Sequence, residues 1–274
     1  MTSTADPAVL VADVGNTRVK LAVATTAAPA GGLPAVSQRQ DLLSREFHAV
    51  NLERWIAAAA RGPAVLLVAA VNEAAATRLE AAVAEISATR HRPVRQRRVA
   101  HAHLPVTVGV DVPDRVGIDR VCAAAAAHAA RAGRPVVVVD CGTATTVDMV
   151  SAAGEFLGGA ILPGPALLAR ALAEGTSRLP EVAALDTAPP PPLPGRSTQA
   201  AIAAGIGWGM RGAVARLVAE AQTAIGGTAD VILTGGSAGV VRDALPGAVE
   251  MPDLVLAGIA LAAGRLLGPG GDPG

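Results

Sequence analysis

Apolar and polar positions along the chain switch between two periods. Val9 to Val14 and Val19 to Ala24 are apolar runs flanking a few small polar residues, the pattern of a buried β-hairpin. Residues 25–41, rich in Ala, Gly and Pro, read as a loop. Leu52 to Arg61 is helical in pattern, and Ala64 to Val71 is a continuous apolar strand. Asn72 can cap a helix that puts Leu79, Val83 and Ile86 on one face. A basic stretch, Arg90 to Arg98, and an extended segment, Leu104 to Val110, follow. From Val116 the plan starts again. A helix runs from about Gly117 to Arg131 and stops at Gly133, and Pro135 to Val139 is a buried strand feeding a second hairpin. Pro165 to Glu174 is a short helix, and residues 186–196, with Pro189 to Pro192 and Pro194, form a loop or polyproline segment. Ser197 or Thr198 caps a long helix to about Ile225, weakened by Gly205, Gly207, Gly209 and Gly212. Asp230 to Leu233 is a strand, Thr234-Gly235-Gly236 a turn, Leu254 to Leu267 a final helix, and 268–274 a disordered tail. Alternating strands and helices with equivalent hairpins predict an α/β protein of two related lobes, 1–115 and 116–274, with the final helix able to pack back on the first.

The two hairpin tips share chemistry. Asp13-Val14-Gly15-Asn16-Thr17 and Asp140-Cys141-Gly142-Thr143-Ala144-Thr145 each end a strand on an Asp, place Gly two residues on, and continue with small hydroxyl or amide side chains. Gly lets the backbone approach an anion closely, and Thr and Asn donate hydrogen bonds to it. The Asp would repel phosphate directly, so its natural partner is a cation or the cation's water shell. One such tip is ordinary turn chemistry; two point to paired lobes facing one phosphate chain. Between them, Gly117-Ile118-Asp119-Arg120 sits where a helix starts. The helix dipole there favours an ionised Asp119, which can take a proton from a hydroxyl, and Arg120 offers a fork for carboxylate or phosphate.

Composition narrows the field. With 274 residues, 51% of them hydrophobic, the chain can bury a large core, and its zero formal net charge gives no support for a nucleic-acid or membrane-surface role. Lys20 is the only lysine and Tyr is absent. Cys122 and Cys141 are too few for a disulfide framework and lack metal-ligand spacing. Met1 to Pro7 has no signal-peptide character, and the most apolar stretch, Leu254 to Leu267, is short and contains Arg265, so a soluble cytoplasmic protein is expected.

Taken in order, D-x-G-N-T (Asp13 to Thr17), G-x-D-R (Gly117 to Arg120), D-x-G-T-A-T (Asp140 to Thr145), T-x-x-A-I-x-x-G-I (Thr198 to Ile206) and T-G-G (Thr234 to Gly236) resemble the type III pantothenate kinases. Phe156 to Gly164 and Pro252-Asp253-Leu254 add to the likeness, which spans nearly the whole chain. The resemblance implies an actin-like (ribonuclease H-like) fold of two lobes, with the active site in the cleft between them. It implies ATP-dependent phosphorylation of pantothenate, the first step of coenzyme A synthesis. Asp119 would be the general base, and Gly117, Ile118, Asp119 and Arg120 would line the pantothenate site together with Thr198. Asp13, Val14, Gly15, Asn16, Thr17, Arg18, Val19 and Lys20 would form the first phosphate loop, with Asp13 near Mg2+. Asp140 would bind a monovalent cation, potassium or ammonium. Thr143 would touch ATP phosphates, and Gly235 and Gly236 would approach the adenosine. A homodimer is implied as well.

One departure stands out: the family's Y-x-x-P pattern keeps its proline as Pro113 but has Val110 at the Tyr position. That leaves two rivals, a kinase or phosphohydrolase of the same fold with another small acceptor, and a non-catalytic nucleotide-binding regulator. Asp13, Asp119 and Asp140 together speak against the second. Gly235-Gly236-Ser237-Ala238-Gly239 fits the G-x-S-x-G nucleophile elbow, but all five histidines (His48, His91, His101, His103 and His128) precede Ser237, whereas that fold places its His afterwards. The Arg90 to Arg98 stretch lacks aromatics for base stacking and reads as a solvated edge. His101 and His103 read as surface or edge residues, and the Pro run reads as a spacer.

Overall fold

The computed structural model describes residues 7–25, 32–90, 93–182 and 190–268. The strands are β1 (Ala8–Val14), β2 (Arg18–Ala24), β3 (Val36–Leu43), β4 (Ala64–Ala70), β5 (Val94–Arg98), β6 (Thr107–Val108), β7 (Val136–Cys141), β8 (Ala144–Val150), β9 (Glu155–Pro163), β10 (Asp230–Thr234) and β11 (Val249–Glu250). The α-helices are α1 (Ala49–Ala59), α2 (Glu73–Thr89), α3 (Ile118–Ala130), α4 (Pro165–Glu174), α5 (Thr198–Ala224), α6 (Leu254–Leu261) and α7 (Ala263–Leu266). They form two compact units, 1–132 with 254–274, and 133–253.

The first unit's sheet has the order β3-β2-β1-β4-β5. β1 pairs antiparallel with β2 and parallel with β4, so a hairpin is followed by a crossover through α1. β1 and β4 lie in mid-sheet and are almost wholly buried, which is why they read as unbroken apolar runs. Leu10, Ala12, Leu66 and Val68 pack with Leu52, Trp55 and Ile56 of α1 and with Leu79, Val83 and Ile86 of α2. Asn72 caps α2 by accepting a hydrogen bond from the Ala75 N–H at 3.0 Å. α3 and α6 pack on β4 and on each other.

The second unit repeats the plan. Its strands run β9-β8-β7-β10-β11, again an antiparallel hairpin with a third antiparallel strand on one side and two parallel strands on the other. α5 covers one face with Ile202, Ile206, Met210, Val214 and Val218 against Val137, Val139 and Leu233. Ser197 caps α5, accepting from the Ala200 N–H at 3.1 Å. Pro190 and Pro191 lie against this helix: a Cβ on Gly207 would come 2.5 Å from Pro190, and the Trp208 indole N–H donates to Pro191 O.

The structure departs from the sequence reading in four places. β3 occupies part of the expected 25–41 loop; it is an edge strand with only Leu42 buried, held by backbone pairing to β2, so it carries no apolar alternation. The expected extended segment Leu104 to Val110 contains only the two-residue β6, after a 3-10 turn over His101–His103. The final helix breaks at Ala262 into α6 and α7. The first unit extends to 132 rather than 115, because the small residues of α3 pack on β4 and α6. His91, Arg92, Pro189 and nearly all of the expected tail lie outside the described residues. The rest of the basic stretch is largely β5, an edge strand whose Arg98 pairs with Glu73 and Glu80, while Arg90 pairs with Glu53 at 2.7 Å.

Gly258 of α6 lies directly against α3: a Cβ there would lie 2.0 Å from Cys122 O. Gly258→Ala is therefore expected to destabilise the fold by about 2–3 kcal/mol through forced overpacking. Urea unfolding of the variant at a wild-type midpoint would show that α3 and α6 can separate freely.

Candidate active site

The first hairpin places Asp13 at the end of β1, directly opposite Lys20 of β2. The Lys20 ammonium stands 3.3 Å from the Asp13 carboxylate, making a cross-strand ion pair. Asp13 is 7% exposed, and its pKa is raised. Burial is the main cause; Lys20 opposes it, while the negative charges of Asp119 and Asp41 add to it. The tip is closed by the Gly15 N–H donating to Arg18 O at 3.0 Å, which leaves Asn16, Thr17 and Arg18 exposed, with Val14 and Val19 buried beneath.

A residue that the sequence reading passed over braces this tip. Ser44 is fully buried; its hydroxyl donates to Gly15 O at 2.7 Å and its N–H to Thr17 O at 3.0 Å. The Arg78 guanidinium in turn donates to Ser44 O. A lone Ser just beyond an unrecognised edge strand carries no sequence signal for this role.

Asp119 lies in the first turn of α3, after Gly117 at the N-cap position. Its carboxylate accepts from the Arg120 N–H at 2.9 Å, and a Cβ on Gly117 would sit 2.5 Å from the same oxygen. Position 117 must therefore be Gly for Asp119 to hold this pose. Asp119 does not cap the helix through its side chain in the N-cap sense; it stands inside the first turn, where the dipole favours its charge. Gly117, Ile118, Asp119 and Arg120 are all half-buried. Beneath them Cys122 is fully buried, its thiol pKa raised well above the usual range by burial and by the charges of Asp13 and Asp119. That thiol is no nucleophile.

In the second unit Asp140 takes the place of Asp13, but the residue opposite is Thr146, neutral where Lys20 is charged. Thr146 donates its hydroxyl to the buried Asp148 at 2.9 Å. The tip closes through the Gly142 N–H to Ala144 O at 2.9 Å, and Thr143 O accepts from the Gly164 N–H at 3.0 Å. Gly164 belongs to the stretch that carried the family likeness, and its close approach explains it: a Cβ there would fall 2.2 Å from Gly142 O. The Gly235 turn lies on Asp140 in the same way. Gly235 has φ +94°, and a Cβ would come 2.4 Å from Cys141 O and 2.5 Å from the Asp140 carboxylate. Gly236 has open space. The Cys141 thiol is pushed up to about 12, by burial first and Asp140 second. Thr198 opens α5 and is exposed at the rim of an apolar cavity of about 620 Å³ bounded by Leu162, Leu168, Ile202 and Met210. Val110 is half-buried ahead of the Pro113–Arg115 turn.

Each unit thus gathers its own part of the expected site: Asp13 to Lys20 with Gly117 to Arg120 in the first, Asp140 with Thr143, Gly235 and Gly236 in the second. The model of the type III pantothenate kinase family matches residues 9–220. The chain belongs to the type III pantothenate kinase family. It is 41% identical over 217 residues to the type III pantothenate kinase of Rhodopirellula baltica, covering 77% of this chain and 72% of that one. It is 45% identical over 147 residues to that of Alkalilimnicola ehrlichii, covering 53% of this chain and 57% of the relative. Among solved structures, a Baf family protein from Campylobacter jejuni superposes with a TM-score of 0.57 at 17% identity, covering 93% of this chain and 96% of the other. The ethanolamine utilization protein EutJ from Carboxydothermus hydrogenoformans does so with 0.50 at 16%, covering 94% and 90%. At these identities the likeness speaks for the fold alone, the mixed α/β, actin-like architecture with two sheets.

For a type III pantothenate kinase, the raised Asp13 pKa has a consequence for stability. The unfolded chain ionises at a lower pH than the fold does. The cost of the buried anion is therefore absent below the ordinary carboxylate pKa, grows as pH rises toward the folded value, and is full above it. Ligand-free Asp13→Asn should melt higher than wild type at neutral pH, with the gain vanishing toward pH 4 (on the order of the carboxylate pKa). A neutral-pH melting temperature below wild type would show that the Lys20 pair outweighs burial.

Proposed function

We propose that this chain carries out its family's reaction, ATP-dependent phosphorylation of the pantothenate primary hydroxyl to 4'-phosphopantothenate, the first step of coenzyme A biosynthesis. The observation that carries the reading is Asp119, held in the first turn of α3 within charge range of Asp13, inside a chain matched by the family model over residues 9–220. Asp119 takes the proton of the acceptor hydroxyl as it attacks the γ-phosphorus of ATP. Arg120 and Thr198 hold pantothenate, and Gly117 and Ile118 wall its site. Asn16, Thr17 and the backbone N–H groups of the first tip, with Thr143 of the second, bind phosphate oxygens, and Gly235 and Gly236 admit the adenosine. Phosphoryl transfer asks for this positioning and charge neutralisation rather than covalent help from the protein.

The donor chemistry fits the cations of the reading. Among the described residues no group of three His, Cys, Asp or Glu could hold a metal. Mg2+ commonly binds through one or two carboxylates, water and substrate phosphates, so Asp13 suffices on the protein side. Asp140, with neutral Thr146 rather than a lysine opposite, suits a monovalent ion, potassium or ammonium. Bound there, these ions would neutralise phosphate charge. Among the described residues no helix is long and apolar enough to cross a membrane. A cytoplasmic homodimer acting on small molecules, without nucleic acid or membrane partners, completes the proposal.

ADP release from Mg-ATP in potassium buffer is expected to require pantothenate. Asp119→Asn should keep ATP binding and lose roughly 10²–10⁴-fold in turnover; near-wild-type turnover would remove Asp119 from the chemistry. Exchange of potassium for sodium should slow the wild type, and Asp140→Ala should make the rate indifferent to the exchange. Equal wild-type rates in the two buffers would overturn the cation role of Asp140.

A further inference from the structure

We propose that His101 is a positioning residue for the acceptor side of the reaction, an inference that rests on the pantothenate kinase reading. No role came to His101 from the sequence beyond that of a surface or edge residue. In the fold its Nε2 lies 3.1 Å from Val116 O, 15 residues on and immediately before Gly117. A carbonyl only accepts, so Nε2 carries the proton and donates. Val116 N–H donates to Pro113 O at 3.1 Å, so the residue is held through both of its flanking peptides.

The linkage to the base is short. Gly117 follows Val116 directly, and the Asp119 carboxylate stands so close to Gly117 that a Cβ would lie 2.5 Å away. Any tilt of the Val116–Gly117 peptide therefore moves the surface against which Asp119 rests. His101 is itself fixed. The Leu104 N–H donates to His101 O at 3.0 Å with Leu104 fully buried, and the His103 ring Nδ1 accepts from the Ala100 N–H at 3.0 Å. Arg265 of α7 donates to Ala102 O at 2.6 Å and Leu104 O at 3.0 Å. The turn over His101–His103 is thus a rigid post, and His101 is the arm by which it holds the G-x-D-R loop. Small errors in the position of a base are costly in rate.

The test compares His101→Leu, His101→Gln and His101→Asn. Loss of one net hydrogen bond should lower kcat/KM for pantothenate about five- to tenfold in the Leu variant, with the KM for ATP unchanged. Gln, whose amide nitrogen reaches the Nε2 position, should restore it; Asn, which mimics Nδ1, should not. Amide exchange of Gly117–Arg120 should quicken in the Leu variant and recover in the Gln variant, whatever the acceptor. Wild-type pantothenate kinetics in the Leu variant, or Gln falling as far as Leu, would overturn the role. A wild type with no pantothenate-dependent turnover would remove the functional reading instead, and the exchange pattern would still decide whether His101 holds the loop.

Discussion

The first hairpin tip is organised around one electrostatic problem: the Asp13 carboxylate is held out of water at the end of a mid-sheet strand. Burial of an anion is tolerated only with compensating charge or hydrogen bonds. The chain's one lysine is placed opposite, yet the carboxylate pKa still rises, because burial outweighs the lysine and Asp119 and Asp41 add negative potential. A fold that keeps two carboxylates near each other and supplies a single lysine carries a cost that an additional cation would offset. Ser44 and Arg78 belong to the same problem. They tie down the Gly15 and Thr17 carbonyls, so that the tip is rigid before any ligand arrives.

Much of this was legible in the chain, for identifiable reasons. β1, β4 and β7 are covered on both faces, so their apolar runs speak for themselves, and Asn72 and Ser197 announce their helices through cap chemistry. β3 was not legible. Its residues point to water, and its strand character comes from pairing with β2, a tertiary fact. The split between the units was misplaced for a related reason. The run of alanines in α3 names no neighbour, and only its packing on β4 and on α6, with Gly258 against Cys122, assigns the helix to the first unit. At the candidate site, the residues proposed to meet ligands advertise themselves by type. Those that hold them, Ser44 and His101, do so through backbone carbonyls, which any sequence possesses.

The shared strand orders, 3-2-1-4-5 and 9-8-7-10-11, explain why the two Asp residues occupy equivalent places. Equivalent topology does not give equivalent chemistry. Lys20 answers Asp13 across the first hairpin, whereas Thr146 stands opposite Asp140 and turns its hydroxyl to Asp148. The second tip relies instead on close backbone approach. Gly164 and Gly235 bring their chains onto residues 140–143 at distances that any side chain would forbid. Charge in one unit and backbone geometry in the other are two ways of ordering a hairpin tip.

The assignment of α3 to the first unit bears on how the chemistry is kept in register. Asp13 is fixed by the sheet, and Asp119 by a helix packed on β4 of that same sheet and pinned by α6. The proposed base and the proposed cation-binding carboxylate therefore share one packed body, and their separation is set by close packing, which yields little to strain. A general base needs a fixed distance to the reacting hydroxyl more than it needs an unusual pKa, because geometry decides first whether a proton can be taken. The packing that holds Asp119 runs through α3, α6 and β4, so Val110 at the family's Tyr position leaves it unchanged.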